Sequence, residues 1–143
     1  MRPRSWSGPI VTAGNVAATE TLKIVDASAI VALLFGEAQA DQVADRLAGT
    51  DLIAPALLDF ELANVCLTKM RRDPQRRGAY LAAYSGRAAL RIDICEVDQD
   101  RALELAEHTG LSAYDASYLW LAQTLGVELV TLDRKLAAAA LAR

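Results

Sequence analysis

The chain is poor in the residues that build disulfide frameworks and zinc sites. Its 143 residues include two cysteines, Cys66 and Cys95, and a single histidine, His108. Two cysteines so far apart give no disulfide framework, and one histidine excludes a Cys/His zinc site of the usual spacing. Because no secretory hydrophobic segment precedes a cleavage site either, we expect a protein of the reducing cytoplasm.

Long hydrophobic runs and a strong charge of either sign are also missing. No apolar run approaches the roughly 18 to 20 residues that a membrane-spanning helix needs, so we expect no membrane segment. Fifteen Lys and Arg residues against eighteen Asp and Glu residues give a formal net charge of −3. Global electrostatic attraction to a phosphate-rich partner is therefore excluded, and nucleic-acid binding requires a local basic patch or a bound cation.

The first 21 residues differ in composition from the rest of the chain. They are rich in Gly, Ser, Thr, Ala and Pro and sustain no helical or strand period, which predicts an N-terminal arm over residues 1–21 and a single domain over residues 22–143. The run Leu-Lys-Ile-Val-Asp at residues 22–26 resembles a native chain start. The arm is therefore expected to be dispensable, or its start to be assigned too far upstream.

From Leu22 onward, strand and helix patterns alternate. Short strands are predicted at residues 23–25, 51–54, 91–97 and 127–132. Helices are predicted at residues 27–35, 39–48, 56–72, 75–89, 98–110, 112–125 and from 134 to 141. Strands that alternate with helices at this spacing predict an α/β fold with a parallel sheet covered by helices on both faces.

Four carboxylates lie in mostly apolar stretches. They are Asp26 in Ile-Val-Asp-Ala-Ser, Glu61 in Phe-Glu-Leu-Ala-Asn, Asp115 in Ala-Tyr-Asp-Ala-Ser-Tyr, and Asp133 in Leu-Val-Thr-Leu-Asp. An acid among residues of the buried type is costly unless it is paired, hydrogen-bonded or bound to a cation. Four such acids indicate a metal site.

The predicted fold brings these acids together. Asp26 and Asp133 follow the carboxyl ends of predicted strands, which share one edge of a parallel sheet, and ligands bind at that edge. Glu61 and Asp115 lie early in predicted helices, from where both can reach the same cleft. Mutually repelling carboxylates favour a divalent cation, and an all-oxygen donor set suits Mg²⁺ or Mn²⁺ better than zinc. A metal held this way can activate water against a phosphodiester, so a nuclease is the leading hypothesis.

These four motifs, in this order and spacing, resemble those of PIN-domain ribonucleases, specifically the VapC-type toxins of bacterial toxin–antitoxin pairs. The resemblance covers about residues 22–136 and implies a three-layer fold with four to five short parallel strands. It assigns the acidic quartet Asp26, Glu61, Asp115 and Asp133. Within the quartet, Asp26 and Asp115 would bind Mg²⁺ directly, whereas Glu61 and Asp133 would act through water or a second ion. Ser28 and Thr131 would be supporting hydroxyls.

The resemblance further implies Mg²⁺-dependent cleavage of single-stranded or loop RNA by a metal-activated water, with Mn²⁺ able to substitute. It implies a cognate antitoxin that blocks the cleft, and a homodimer. The family also usually adds a fifth strand after the last helix. Since no such strand is predicted before Arg143, we expect one edge of the sheet to differ.

Each acid also has a purely structural interpretation. Asp26 and Asp133 can cap the helices that follow them, and Glu61 can be a solvated helix residue. Ser112 and Asp115 have the spacing of a capping box, in which Asp115 reaches back to the Ser112 backbone N–H. Taken one at a time, these alternatives compete with the functional one, but they leave the occurrence of all four acids at one edge unexplained.

The basic residues offer two candidate RNA contacts. Arg71 and Arg72, with Arg76 and Arg77 beyond the Asp-Pro break, form the densest basic cluster, which alternatively is a solvated helix hairpin or an antitoxin-facing surface. Arg134 and Lys135 directly follow Asp133 and are placed closer to a scissile phosphate. Tyr118, with the cysteines, is predicted to be a core or interface residue.

Other functional classes fit less well. A Mg²⁺-binding regulatory module of the receiver type needs a pair of acids at the first strand end, and Val25 precedes Asp26. A phosphatase of the haloacid dehalogenase type needs Asp-x-Asp, and Ser28 stands at the second position. A PIN nuclease of RNA processing, outside any toxin pair, is the remaining alternative, and an adjacent antitoxin gene discriminates between the two.

Overall fold

The computed structural model describes residues 21–142. Except for Thr21, the predicted N-terminal arm therefore lies outside the described residues. The strands are β1 (Leu22–Val25), β2 (Asp51–Ala54), β3 (Asp93–Ile94) and β4 (Glu128–Val130). The α-helices are α1 (Ala27–Phe35), α2 (Ala40–Leu47), α3 (Leu57–Arg72), α4 (Arg77–Ser85), α5 (Gln99–Thr109), α6 (Ala113–Leu125) and α7 (Arg134–Leu141).

The four strands form one parallel sheet in the order β3-β2-β1-β4. In the centre, Ile24 of β1 stands in register with Ile53 of β2 and with Leu129 of β4. Ile24 and Ile53 are fully buried, because parallel strands with helices on both faces leave neither face to water. The predicted α/β class and parallel sheet are confirmed.

The direction of the chain across the sheet explains why both faces are covered. The chain moves from β1 to β2 to β3 and then crosses back to β4 on the other side of β1. Because crossovers between parallel strands are right-handed, the helices before β3 and those after it lie on opposite faces. Accordingly α1 packs with α2, α3 and α4, while α6 packs with α5 and α7.

The structure differs from the predicted elements on the β3 side. The strand predicted at residues 91–97 pairs only at Asp93–Ile94, followed by one further bond from the Cys95 N–H to the Ala54 carbonyl oxygen. The partner strand β2 ends at Ala54, so the β2–β3 ladder extends no further than this bond. The helix predicted at residues 75–89 is divided into α4 and two 3₁₀ segments, Pro74–Arg76 and Gly86–Leu90.

At the opposite side of the sheet, β4 pairs only with β1 within residues 21–142. A groove of about 840 Å³ lies along this strand and is lined by apolar residues of α6 and α7, including Leu119, Ala122, Ala137 and Ala140. The groove touches the acid-bearing edge of the sheet only at Thr131. None of the helices in the described part of the chain is long and apolar enough to cross a membrane.

Candidate active site

Asp26 is both a helix cap and the buried acid of the site. It follows β1, and its side chain caps α1 by accepting a hydrogen bond from the Ala29 N–H through Oδ1 at 3.1 Å. Ser28 Oγ donates to the same oxygen at 2.7 Å, and Thr131 Oγ1 donates to Oδ2 at 2.5 Å. Only 4% of Asp26 is exposed. Asp26 therefore caps α1, as the capping interpretation expects. The cap uses one hydrogen bond to Oδ1, and Oδ2 takes no part in it.

The two supporting hydroxyls connect the ends of β1 and β4. Thr131 Oγ1 accepts the Asp133 N–H at 3.0 Å, and Ser28 Oγ accepts the Leu132 N–H at 2.8 Å. Each hydroxyl oxygen accepts a backbone N–H from the segment that follows β4. Its own proton is therefore free to be donated to Asp26. The Asp26 carboxylate is therefore held in one orientation by residues that follow β1 and β4.

Asp133 is exposed and caps α7, because its Oδ1 accepts the Leu136 N–H at 2.8 Å. Its backbone N–H is bonded to Thr131, which places Asp133 directly beside the end of β4. The position agrees with the expected junction between strand and helix. Here too the capping role and a place in the acid cleft occur together.

Glu61 lies in the second turn of α3 and is half-buried. Its Oε1 accepts a hydrogen bond of 2.6 Å from the hydroxyl of Tyr118, which is fully buried in α6. The sequence interpretation of Tyr118 as a core residue missed this contact. Two signals could have identified it, since a buried tyrosine hydroxyl needs a partner and Tyr118 lies three residues after Asp115 on the same helix face.

Asp115 lies in the first turn of α6 and forms only half of the predicted capping box. Ser112 Oγ accepts the Asp115 N–H at 3.0 Å and caps the helix as expected. The return bond from the Ser112 N–H to the Asp115 carboxylate does not form, and that carboxylate accepts no hydrogen bond within residues 21–142. The Asp115 side chain is therefore available for another role.

The four acids act on one another electrostatically. Burial, the largest cause, raises the pKa of Asp26, Glu61 and Asp115. The charge of Asp133 raises the pKa of Asp26 and Asp115 further, and the charges of Asp26 and Asp115 raise that of Glu61. Hydrogen bonds from Thr131 to Asp26 and from Tyr118 to Glu61 act in the opposite direction. All four side chains therefore lie at the carboxyl edge of the sheet, near enough to act on one another's charge, and we call this region the acid cleft.

The chemistry of these donors fits a hard divalent cation. They are all carboxylate oxygens, they repel one another, and the Asp115 carboxylate has no hydrogen-bond partner in the described residues. As the side chains are placed, no three Asp, Glu, His or Cys residues among residues 21–142 lie close enough together to hold a metal ion. Asp26, Glu61 and Asp133 each have an oxygen turned towards a hydroxyl or N–H donor.

The basic candidates separate into two groups. Lys135 lies beside Asp115, whose pKa its charge lowers, and its Nζ donates to the Gly110 carbonyl oxygen at 2.6 Å. Arg134 is exposed in the first turn of α7. Arg71 and Arg72 are exposed at the far end of α3. They follow Glu61 by ten or more residues, which is about 15 Å along the helix axis, so they are not gathered with the acids.

The comparisons with known proteins agree with this architecture. A family model described as the PIN domain matches residues 23–141. Ribonuclease VapC9 of Mycobacterium tuberculosis is 38% identical over 121 residues, covering 79% of this chain and 87% of that protein. Ribonuclease VapC3 of Pyrobaculum aerophilum is 33% identical over 120 residues, covering 80% of this chain and 91% of that protein.

Two crystal structures have the same fold. PAE2754 from Pyrobaculum aerophilum superposes with a TM-score of 0.67 at 28% identity, covering 85% of this chain and 87% of that one. VapC20 of Mycobacterium tuberculosis, described as a toxin that cleaves the sarcin-ricin loop, superposes with a TM-score of 0.59 and covers 82% and 94% of the two chains. At 22% identity, the second likeness concerns the fold alone. From the family match and the curated relatives, the chain belongs to the PIN-domain family, within its VapC group.

Proposed function

We propose that this protein is a Mg²⁺-dependent endoribonuclease that cleaves single-stranded or loop RNA, and that it is the toxin of a type II toxin–antitoxin pair. The observation that supports the proposal is the placement of Asp26, Glu61, Asp115 and Asp133 at one edge of the sheet, where their charges act on one another. Curated relatives at 33% and 38% identity are named VapC ribonucleases, which supports the RNA substrate and the antitoxin partner.

The four acids have distinct roles in the proposal. Asp26 and Asp115 bind Mg²⁺ directly, while Glu61 and Asp133 act through water or a second ion. Mn²⁺ substitutes because it accepts the same oxygen donors. When bound, the ion supplies an activated water and stabilises negative charge on the scissile phosphate.

The protein's own contribution is to fix the carboxylates before RNA arrives. The Ser28 and Thr131 hydroxyls orient Asp26, and the Tyr118 hydroxyl orients Glu61. Ser28 and Tyr118 lie on helices, and the buried Thr131 directly follows β4, so these donors are positioned by the fold and little reorganisation is needed during the reaction. Asp115 is left with an unengaged carboxylate.

RNA binding relies on a few local cations. Arg134 and Lys135 contact the phosphates next to the cut, since Lys135 lies beside Asp115. Arg71 and Arg72 contact more distant phosphates or the antitoxin, because they lie at the other end of α3. The protein acts in the cytoplasm as a homodimer, and the antitoxin inhibits it by covering the cleft.

Product analysis tests the nuclease proposal. The purified protein is expected to cut RNA in Mg²⁺ or Mn²⁺, to stop in EDTA and to leave 5′-phosphate ends, because water is the nucleophile. The variant Asp115→Asn should lose cleavage by orders of magnitude, whereas Asp45→Asn, which changes an exposed acid of α2, should cut like the wild type. Cleavage that persists in EDTA, or 2′,3′-cyclic phosphate ends, contradicts the mechanism. The toxin assignment is tested separately, by co-expression with the product of an adjacent reading frame.

A further inference from the structure

Two large aromatic side chains are exposed beside the acid cleft. Phe60 is 73% exposed and precedes Glu61, and Tyr114 is 64% exposed and precedes Asp115. Neither ring makes a hydrogen bond, a ring contact or a cation–π contact within residues 21–142. Both rings thus present their faces to the surroundings next to acids of the proposed active site.

The helices place these rings at the border of that cleft. Both α3 and α6 begin at the carboxyl edge of the sheet, since α3 follows β2 and α6 runs back towards the start of β4. Helical side chains tilt towards the helix N-terminus, which here is the edge with the acids. Each ring is one residue, or about 100° of helix rotation, away from an acid that faces the cleft. The 2.6 Å bond between Tyr118 and Glu61 joins the two helices, and both rings lie in first turns at the same edge of the sheet as the acids.

The charge of the cleft indicates what these rings bind. Four carboxylates repel a phosphate backbone, and the net charge of −3 adds no attraction. Near the acids, the candidate cations among the described residues are Arg134 and Lys135, and Lys135 already neutralises part of the Asp115 charge. A neutral source of affinity for RNA would therefore complement these cations and the bound metal ion. Aromatic rings supply it, because every base has a π-face and stacks regardless of charge.

We propose that Phe60 and Tyr114 form a stacking subsite for unpaired RNA bases that flank the cleaved phosphate. The inference rests on the proposed ribonuclease function and adds the feature of the substrate that the cleft recognises. Paired bases are already stacked in their own helix, so the subsite selects single-stranded or loop RNA over duplex RNA.

Binding and kinetics together test this subsite. Phe60→Ala and Tyr114→Ala are each expected to weaken binding of a single-stranded RNA oligonucleotide by about 5- to 150-fold, measured by fluorescence anisotropy in EDTA. In Mg²⁺ the KM should rise by a similar factor while kcat stays near the wild-type value. The slope of log affinity against log salt should not change, because no phosphate contact is lost. Phe60→Trp and Tyr114→Phe keep an aromatic face and should bind like the wild type.

Leu103→Ala is the matched control. Leu103 is 63% exposed on α5, which carries none of the four acids, so its truncation should alter neither binding nor kinetics. Oligonucleotides with abasic riboses beside the cleavage site provide the second arm. If the rings stack on those bases, the alanine variants and the wild type should bind the abasic RNA equally weakly.

The outcomes separate this inference from the proposed function. A wild type that cuts RNA, with alanine variants of unchanged KM and affinity, overturns the stacking subsite and leaves the nuclease intact. Alanine variants that become monomeric in sedimentation while RNA binding stays at the wild-type level overturn it in favour of a protein interface. A wild type that cuts no RNA overturns the proposed function, and the anisotropy series in EDTA still decides whether the rings bind bases.

Discussion

The hydroxyl of Tyr118 donates a 2.6 Å hydrogen bond to the Glu61 carboxylate, joining α6 to α3 at the acid cleft. Tyr118 is fully buried, so the orientation of Glu61 depends on how the core is packed. Burial and the neighbouring Glu61 raise the pKa of the Tyr118 phenol far above its ordinary value. The hydroxyl therefore keeps its proton and remains a donor at neutral pH.

Removal of this donor should weaken the fold and the site together. We expect Tyr118→Phe to lower the free energy of unfolding by about 1 to 2 kcal/mol, because a hydrogen bond to a charged group is lost while the half-buried Glu61 regains only part of its hydration. Urea unfolding measures the change. Tyr114→Phe is the control in the same helix, since that hydroxyl has no partner in the described residues. Equal effects of the two variants would contradict the role of the bond.

Thr131 should be sensitive to loss of its hydroxyl but not of its methyl group. It is buried, donates to Asp26 Oδ2 and accepts the Asp133 N–H. Thr131→Val keeps the shape but leaves both partners without this bond, at an expected cost of about 2 to 3 kcal/mol. Thr131→Ser keeps the hydroxyl and should cost about 1 kcal/mol or less. Denaturant melts of the two variants test this order, and a more stable valine variant would refute it.

The ion pairs at the other end of the sheet should contribute little. Glu128 contacts Arg46 at 2.7 Å and Lys23 at 3.2 Å, and the hydrogen bond from Arg46 is the main reason why the pKa of Glu128 is lowered. A lowered pKa gives stability that is present above the unfolded pKa and is lost as the pH falls through the folded value. Because nearly half of Glu128 is exposed, solvent screening limits the effect of Glu128→Gln at neutral pH to about 0.5 kcal/mol. In thermal melts, the destabilisation by Glu128→Gln should be smaller at high salt than at low salt. RNA cleavage by the variant should be unchanged.

Most of the fold was predictable because the periodic patterns were strong. The strand at residues 51–54 and the helix at residues 27–35 have the predicted bounds. The β3 region was not predictable to the same degree, because its length depends on where the partner strand stops and not on its own residues. That partner strand, β2, lies in a different part of the sequence and ends at Ala54.

The placement of the acids at one edge of the sheet was also predictable, since strand ends in a parallel sheet share an edge, whereas their joint catalytic role stays a prediction. The sequence pattern could not show which acids cap a helix, which lie in the acid cleft and which do both. Asp26 and Asp133 cap helices and also take part in the cleft, whereas Asp115 does not complete the capping box. The contact from Tyr118 to Glu61 joins residues 57 positions apart, and only the packing of α3 against α6 makes it visible.

The raised pKa values predict a pH dependence of stability with a definite sign. Asp26, Glu61 and Asp115 bind protons more tightly in the folded protein than in the unfolded chain. Their contribution to stability is therefore complete below the unfolded pKa values and is lost as the pH rises through the folded ones. In EDTA, the melting temperature should therefore rise as the pH is lowered through the raised, folded pKa values of these acids towards their unfolded ones. Asp115→Asn should flatten this rise, and a slope equal to that of the wild type would contradict the coupling.

The capping and metal-binding interpretations of Asp115 predict opposite effects of Asp115→Asn on the stability of the metal-free protein. If the carboxylate served the helix start, Asp115→Asn would cost about 0.5 to 1 kcal/mol and leave activity nearly intact. The structure favours the other outcome, because Ser112 alone caps α6 and the Asp115 carboxylate is crowded by the charges of Asp133 and Asp26. Removal of its charge relieves that repulsion, so in EDTA the variant should melt at the same or a higher temperature than the wild type.

Added Mg²⁺ then distinguishes the two interpretations. A ligand stabilises a protein only in proportion to its binding of the folded state, so excess Mg²⁺ should raise the melting temperature of the wild type and raise that of Asp115→Asn much less. Asp45→Asn should respond to Mg²⁺ like the wild type, because its acid lies on α2 outside the cleft. Melting curves of the three proteins in EDTA and in Mg²⁺ decide the matter. A variant at Asp115 that is destabilised in EDTA, still responds fully to Mg²⁺ and still cuts RNA would show that Asp115 is a helix-start residue and not a metal ligand.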